Sequence, residues 1–132
     1  MKIQESAENY LETILMLGKA KGNVRSIDIA TALSFSKPSV SVAMKNLREN
    51  GYILMDKDGF IALTDKGHEI AETIYERHTL LSSFLMYLGV SKETATQDAC
   101  RIEHVISPES FEALKQHVYS HKEIMDIKDV KI

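Results

Sequence analysis

Ser34-Phe35-Ser36-Lys37-Pro38 decides how the first half of this chain is built. Apolar residues keep helical spacing on both sides of it, yet proline is tolerated only in the first turn of a helix. One helix must therefore end near Leu33 and another begin here. Upstream, Ser26 is expected to cap the first of them, with Asp28 in its first turn, where a negative charge suits the helix dipole. Downstream, the second runs through Val40, Met44 and Leu47 to a stop at Asn50-Gly51. Two short helices joined by a tight turn make a helix-turn-helix. The second helix keeps Val40, Ala43, Met44 and Leu47 for a core and exposes Ser36, Lys37, Ser39, Ser41, Val42, Lys45 and Arg48. Small hydroxyl and basic residues at a helix N-terminus suit phosphate approach and base-edge contact in a major groove.

The segment that follows extends this reading. Tyr52-Ile53-Leu54-Met55 and Phe60-Ile61-Ala62-Leu63 are strand-like runs separated by Asp56-Lys57-Asp58-Gly59, a hairpin whose tip places Lys57 near a phosphate backbone. A helix-turn-helix followed at once by a hairpin is a winged helix. Before it, Ala7, Tyr10, Leu11, Ile14, Leu15 and Leu17 predict an amphipathic helix over residues 5 to 20, whose other face carries the oxygen donors Glu8, Asn9 and Glu12. Without further information those three read as solvated surface. After it, Thr64-Asp65-Lys66-Gly67 opens a long helix to about Leu88. Its apolar side (Ile70, Ile74, Leu81, Phe84, Leu85, Leu88) is too extensive for a small winged head to cover. Ser91 and Ser107-Pro108 start two more helices, the second carrying Phe111, Leu114, Val118 and Tyr119, and the stretch from His121 is expected to add a helical turn. The fold predicted is mainly α with a small β wing. Residues 1–67 form a winged helix-turn-helix and 68–132 an all-helical dimerisation domain.

Within that second half, Asp98-Ala99-Cys100-Arg101-Ile102-Glu103-His104 puts a thiol, a carboxylate and an imidazole at i, i+3 and i+4, on one side of one helix. Neither packing nor solvation needs three different metal donors together. The rest of the composition is compatible with a cytoplasmic, reduced protein. A single cysteine excludes an intramolecular disulfide, and no apolar run is long enough to span a membrane. The formal net charge of −3 gives no general support for nucleic-acid binding, but the charge is uneven. Residues 21 to 67 are net +2, against −1 before them and −4 after them, so the one net-positive third coincides with the winged helix.

With the winged helix, Glu76-Arg77-His78-Thr79-Leu80-Leu81 and Cys100-Arg101-Ile102-Glu103-His104-Val105-Ile106-Ser107 in place, the chain resembles the diphtheria toxin repressor family of metal-dependent transcriptional regulators of iron or manganese homeostasis. The resemblance runs from about Ala7 to about Leu114. It implies that His78, Cys100, Glu103 and His104 are metal ligands and that Asn9 and Glu12 occupy ligand positions on the first helix. It also implies that Ser36, Pro38 and Ser39 begin the DNA-reading helix. An acidic residue near Ser82 and a histidine near Thr96, which the iron-type ancillary site would use, are missing. With no counterpart of the SH3-like third domain, the two-domain form is expected. Cys100 stands where the manganese type has Glu, so the site is a hybrid.

The donor chemistry can be argued separately. Mn²⁺ prefers oxygen and some imidazole, whereas a thiolate beside imidazole and carboxylate favours Fe²⁺, Co²⁺, Ni²⁺ or Zn²⁺. Fe²⁺ is therefore expected first, then Mn²⁺ or Zn²⁺. The expected partners are double-stranded operator DNA and a second copy of the chain, with no membrane. A metal joining donors from separate parts of the fold would favour the dimer geometry that fits two half-sites. The rival readings are a metal-independent winged-helix regulator sensing oxidation through Cys100, a metalloenzyme using His78, Glu103 and His104, and a winged-helix protein-interaction module. No Gly-rich phosphate loop, nucleophile elbow or HExxH supports the enzyme. Met44, Met55 and Met86 read as core filler, and His68, His117 and His121 as surface residues.

Overall fold

The computed structural model describes residues 5–121, and the chain divides into two compact units, up to Thr73 and from Ile74. The architecture is helical with one small wing: α1 (Glu5–Lys21), α2 (Ser26–Leu33), α3 (Lys37–Glu49), β1 (Ile53–Met55), β2 (Ile61–Leu63), α4 (Asp65–Tyr87), α5 (Lys92–Val105) and α6 (Pro108–Ser120).

In the first unit, Tyr10, Leu11, Ile14 and Leu15 of α1 are buried with Ile29 and Ala30 of α2 and Val40, Met44 and Leu47 of α3. The turn between α2 and α3 closes without glycine. Ser34 takes the left-handed conformation at φ 57°, which lets the Phe35 N–H reach the Ala30 carbonyl at 3.0 Å and satisfy the end of α2. Ser36 then caps α3, accepting the Ser39 N–H at 3.3 Å, with Pro38 in the first turn as expected. The expected cap of α2 is displaced by one residue. Arg25 is its N-cap, and the Asp28 carboxylate reaches back to the Arg25 N–H at 2.8 Å while also taking the Lys21 ammonium at 2.7 Å. The Asp28 N–H goes to the Arg25 carbonyl at 3.0 Å, so the helix already begins at Arg25 and Ser26 falls inside its first turn.

The wing is antiparallel, with Ile53 opposite Leu63, Leu54 opposite Ala62 and Met55 opposite Ile61. Both strands are shorter than their apolar runs. The Tyr52 N–H goes to the Leu47 carbonyl, and the Phe60 N–H goes to Oδ1 of Asp56, which also takes the Asp58 N–H, both at 2.9 Å. Gly59 completes the turn at φ 84°. At the start of α4, Thr64 Oγ1 accepts the Gly67 N–H at 3.2 Å and donates to the Gly51 carbonyl at 2.7 Å. A Cβ at position 67 would overlap the Tyr52 carbonyl oxygen, which is why glycine sits inside this helix.

In the second unit, Leu80, Phe111 and Val118 form the core with Phe84, Ile106 and Leu114 packed against them. Ser91 and Ser107 are the N-caps of α5 and α6, accepting the Thr94 and Ser110 N–H groups at 3.3 and 3.1 Å. Leu88 and Tyr119, assigned to apolar faces by their spacing, are exposed, and so is Val105 at the end of α5. The helical turn expected beyond His121 falls on residues outside those described; His121 itself is the C-cap of α6.

Two outcomes test this account. Gly67→Ala should destabilise the chain by about 1–3 kcal/mol or more, because the blocking atom is backbone and cannot rotate away; urea unfolding reads it. The Asp28 carboxyl is held below its ordinary range, first by the Lys21 hydrogen bond and then by the Arg25 amide. A depressed folded pKa contributes stability above the unfolded value of about 3.9 that is lost as pH falls through the lower folded value. Asp28→Asn should thus be less stable than wild type at pH 7, and thermal midpoints should converge as pH drops below the ordinary carboxylate range.

Candidate metal centre

The centre is built from two helices of the second unit. His78 lies on α4, with 4% of its surface exposed, and Glu103 lies on α5 with none. His78 Nδ1 and Glu103 Oε2 are 2.8 Å apart. His104 follows Glu103, and its Nε2 stands 3.4 Å from Glu103 Oε1 with the imidazole almost wholly covered. Cys100, one turn earlier on α5, is exposed, yet single donor atoms from His78, Cys100 and Glu103 all lie within 4.8 Å of one another.

That grouping fits a divalent transition ion. Sulfur, nitrogen and oxygen ligands sit about 2.0–2.3 Å from a common metal, so no two of them stand more than roughly 4.6 Å apart. A span of 4.8 Å is closed by a small side-chain adjustment. Borderline and softer divalent ions accept such a mixed set, and the deep carboxylate gives the site its charge. Burying a carboxylate is costly without hydrogen bonds or an opposite charge, and His78 supplies the first of these.

The remaining expected ligands lie in the first unit. Asn9 is half-buried on α1, its carbonyl accepting the Thr13 hydroxyl at 2.8 Å. Glu12 is only 4% exposed, so the solvated-surface reading is wrong for it. Leu11, Ile14 and Leu15 of the same helix are buried as well, and helical periodicity alone did not extend that burial to a charged residue.

The residues expected to meet DNA lie on α3, at its N-cap and on the wing. Ser36, Lys37, Pro38, Ser39, Ser41, Val42 and Lys45 are all exposed, as is Lys57 at the hairpin tip. Ser36 Oγ also donates to Ser39 Oγ at 2.8 Å, so part of its hydrogen-bonding capacity is engaged within the helix start. Arg25, not assigned a role from sequence, holds its guanidinium 4.4 Å from the Phe60 ring centroid beside the wing.

Arg77 is the residue near the centre that sequence reasoning passed over. Its Nη1 donates to the carbonyls of Glu103 at 3.1 Å and Ile106 at 3.0 Å. The only signal in the sequence was its place beside His78, and its partners 26 and 29 residues away are invisible to local pattern.

Two family models together span nearly the whole chain. The N-terminal DNA-binding domain of the iron-dependent repressors matches residues 2–60, and their metal-binding and dimerisation domain matches residues 64–124. Curated relatives include the transcriptional regulator MntR of Escherichia coli O6:H1, 35% identical over 89% of this chain and 76% of its own length. The HTH-type transcriptional regulator MntR of Bacillus subtilis is 35% identical over 96% and 89%. Among solved structures, the manganese regulator SloR aligns with a TM-score of 0.76 at 30% identity, over 90% of this chain and 55% of that one. This chain thus spans about half the length of that solved relative.

The donor cluster makes a spectroscopic prediction. Titrating the protein with Co²⁺ should produce a thiolate-to-metal charge-transfer absorption that Cys100→Ser abolishes. Because Cys100 is exposed, far-UV circular dichroism of the variant should match wild type. A wild-type spectrum without that band would exclude the thiol from the coordination set.

Proposed function

Since the chain belongs to the iron-dependent repressor family of metal-dependent DNA-binding transcriptional regulators, we propose that it senses a divalent transition metal through His78, Cys100, Glu103 and His104. Loaded with that ion, it binds operator DNA as a homodimer and represses genes of metal homeostasis. The observation that carries the proposal is the convergence of His78, Cys100 and Glu103 within 4.8 Å in a chain that also has an exposed, hydroxyl-rich and basic helix before a wing. Residues 1–67 are the proposed DNA-binding part and 68–132 the metal-binding and dimerising part. As a DNA-binding regulator it is proposed to act in the cytoplasm; among the described residues, no helix is long and apolar enough to cross a membrane.

Mn²⁺ is the favoured effector, ahead of Fe²⁺ and Zn²⁺. This reverses the order expected from the donor set, because SloR is described as a manganese regulator and the MntR relatives match most of this chain. Cys100 remains the soft donor in the set, and it is the residue on which discrimination between Mn²⁺ and Fe²⁺ should turn. The ion supplies positive charge at the buried carboxylate and a fixed point shared by its ligands. His78 contributes imidazole nitrogen from α4, Glu103 the oxygen and His104 a second imidazole from α5. Asn9 and Glu12 of α1 are proposed as further ligands. The coupling required between metal and DNA binding is of the ordinary allosteric size, about 1–3 kcal/mol. On α3, Ser39, Ser41, Val42 and Lys45 with Lys37 and Pro38 are the proposed groove contacts, Ser36 caps that helix, and Lys57 meets phosphate from the wing.

A second reading follows from the exposure of the Cys100 thiol: oxidation there would release DNA without any change in metal. Fluorescence anisotropy with promoter DNA from the protein's own gene and from metal-transporter genes, under anaerobic conditions, separates the two. Mn²⁺ should tighten binding about 5- to 150-fold, chelator should reverse it, and His78→Ala or Glu103→Gln should remove the response. Equal affinity with metal and chelator, but release by peroxide, would replace metal sensing by thiol oxidation.

A further inference from the structure

We propose that Arg77 is a positioning residue for the metal centre, holding the last turn of α5 so that Glu103 and His104 stay assembled as ligands. The inference rests on reading the cluster as a metal site and extends it to a side chain that cannot itself be a donor to a cation.

Helix C-termini leave their last carbonyls without intrahelical partners, and they fray. In α5, which ends at Val105, both Glu103 and His104 fall within that vulnerable turn. The Ile102 carbonyl there takes the Ile106 N–H at 2.9 Å. The Glu103 carbonyl takes Arg77 Nη1 at 3.1 Å, and the same nitrogen reaches the Ile106 carbonyl beyond the helix at 3.0 Å. One guanidinium nitrogen therefore joins the end of α5 to the segment that leads into α6. Its carbon stands 5.4 Å from the ring centroid of Phe111 on α6, so the group is anchored at a third point.

The next residue of α4 is His78, bonded to the Glu103 carboxylate at 2.8 Å. Consecutive residues of one helix thus hold Glu103 twice, Arg77 by its backbone and His78 by its side chain. Metal uptake engages the His78 and Glu103 side chains, whereas the Arg77 contacts are to backbone and can persist in the loaded state. Groups that orient ligands in this way typically change metal affinity by about 10- to 100-fold when removed. Lysine substitutes only in part, since its ammonium can reach a carbonyl but lacks the planar group that stands beside the Phe111 ring.

Isothermal titration of the full chain with Mn²⁺ tests the assignment. Arg77→Met should weaken Kd by about 10- to 100-fold, Arg77→Lys should recover only part of that, and both should bring faster amide exchange confined to residues 103–106. Glu76→Gln, which removes the charge that the residue before Arg77 presents to Lys115 of α6 at 3.1 Å, should leave Kd unchanged. Wild-type Kd in a folded Arg77→Met would overturn the proposal. So would an affinity loss that tracks global destabilisation, with exchange raised equally across α4, α5 and α6. Should Arg77→Met not fold, Arg77→Lys decides: weaker Mn²⁺ binding by a folded chain supports the role, and wild-type affinity overturns it. A wild-type chain that takes up neither Mn²⁺, Fe²⁺ nor Zn²⁺ would instead remove the metal reading, and this inference with it.

Discussion

Glu103 has no solvent exposure, and a carboxylate in that position sets the terms for everything around it. Hydration lost on burial has to be replaced, and the His78 imidazole at 2.8 Å replaces part of it. That hydrogen bond fixes which faces of α4 and α5 meet, since a rotation of either helix by one residue would withdraw one partner. It also places the Cys100 donor, one turn away, beside the same carboxylate. A hydrophobic pair would fill the space with less expense, because replacing a buried ion pair by packed apolar groups is often neutral or stabilising. Retaining the polar pair makes sense if the site has a second state in which a cation takes over the charge.

Local rules carried much of the fold. Ser91 and Ser107 were expected to start helices and are their N-caps, because a hydroxyl before a helix satisfies a nearby amide whatever the tertiary context. The Pro38 break and the Gly59 turn were legible for similar reasons of backbone geometry. The misreadings came where a distant or competing group decided the outcome. Asp28, tied to the Arg25 amide and to Lys21, sets the start of α2 at Arg25 and not at Ser26, and Ser34 adopts a left-handed backbone that composition would assign to glycine. Gly67 is required by the carbonyl of Tyr52, fifteen residues earlier, and nothing within the helix reveals it.

The proposed metal donors divide along the same line. Cys100, Glu103 and His104 were legible together because they share one helical face, and His78 entered through resemblance to a family motif. Their mutual distances, and the contrast between an exposed thiol and a buried carboxylate, required the fold. Glu12 shows the limit from the other side: a glutamate beside polar residues on an amphipathic helix reads as surface, yet it is enclosed. Periodicity assigns faces by averaging over a stripe. It cannot identify the one charged residue that lies inside the apolar boundary.

The contrast in exposure within the cluster bears on ion choice. A metal binding at this site meets oxygen and imidazole held inside the protein and sulfur at the solvent edge. Buried ligands cannot move far without disturbing the core, so they set the minimum charge and size of the ion. The thiol at the edge can approach a softer ion closely or stand off from a harder one. Such an arrangement would let the proposed site accept Mn²⁺ on its oxygen and nitrogen donors while still distinguishing it from ions that bind sulfur strongly. Affinity alone ranks Zn²⁺ above Mn²⁺, so discrimination in favour of manganese has to come from geometry. On the proposed metal reading, that geometry would be set by the last turn of α5 and the two α4 residues bonded to it.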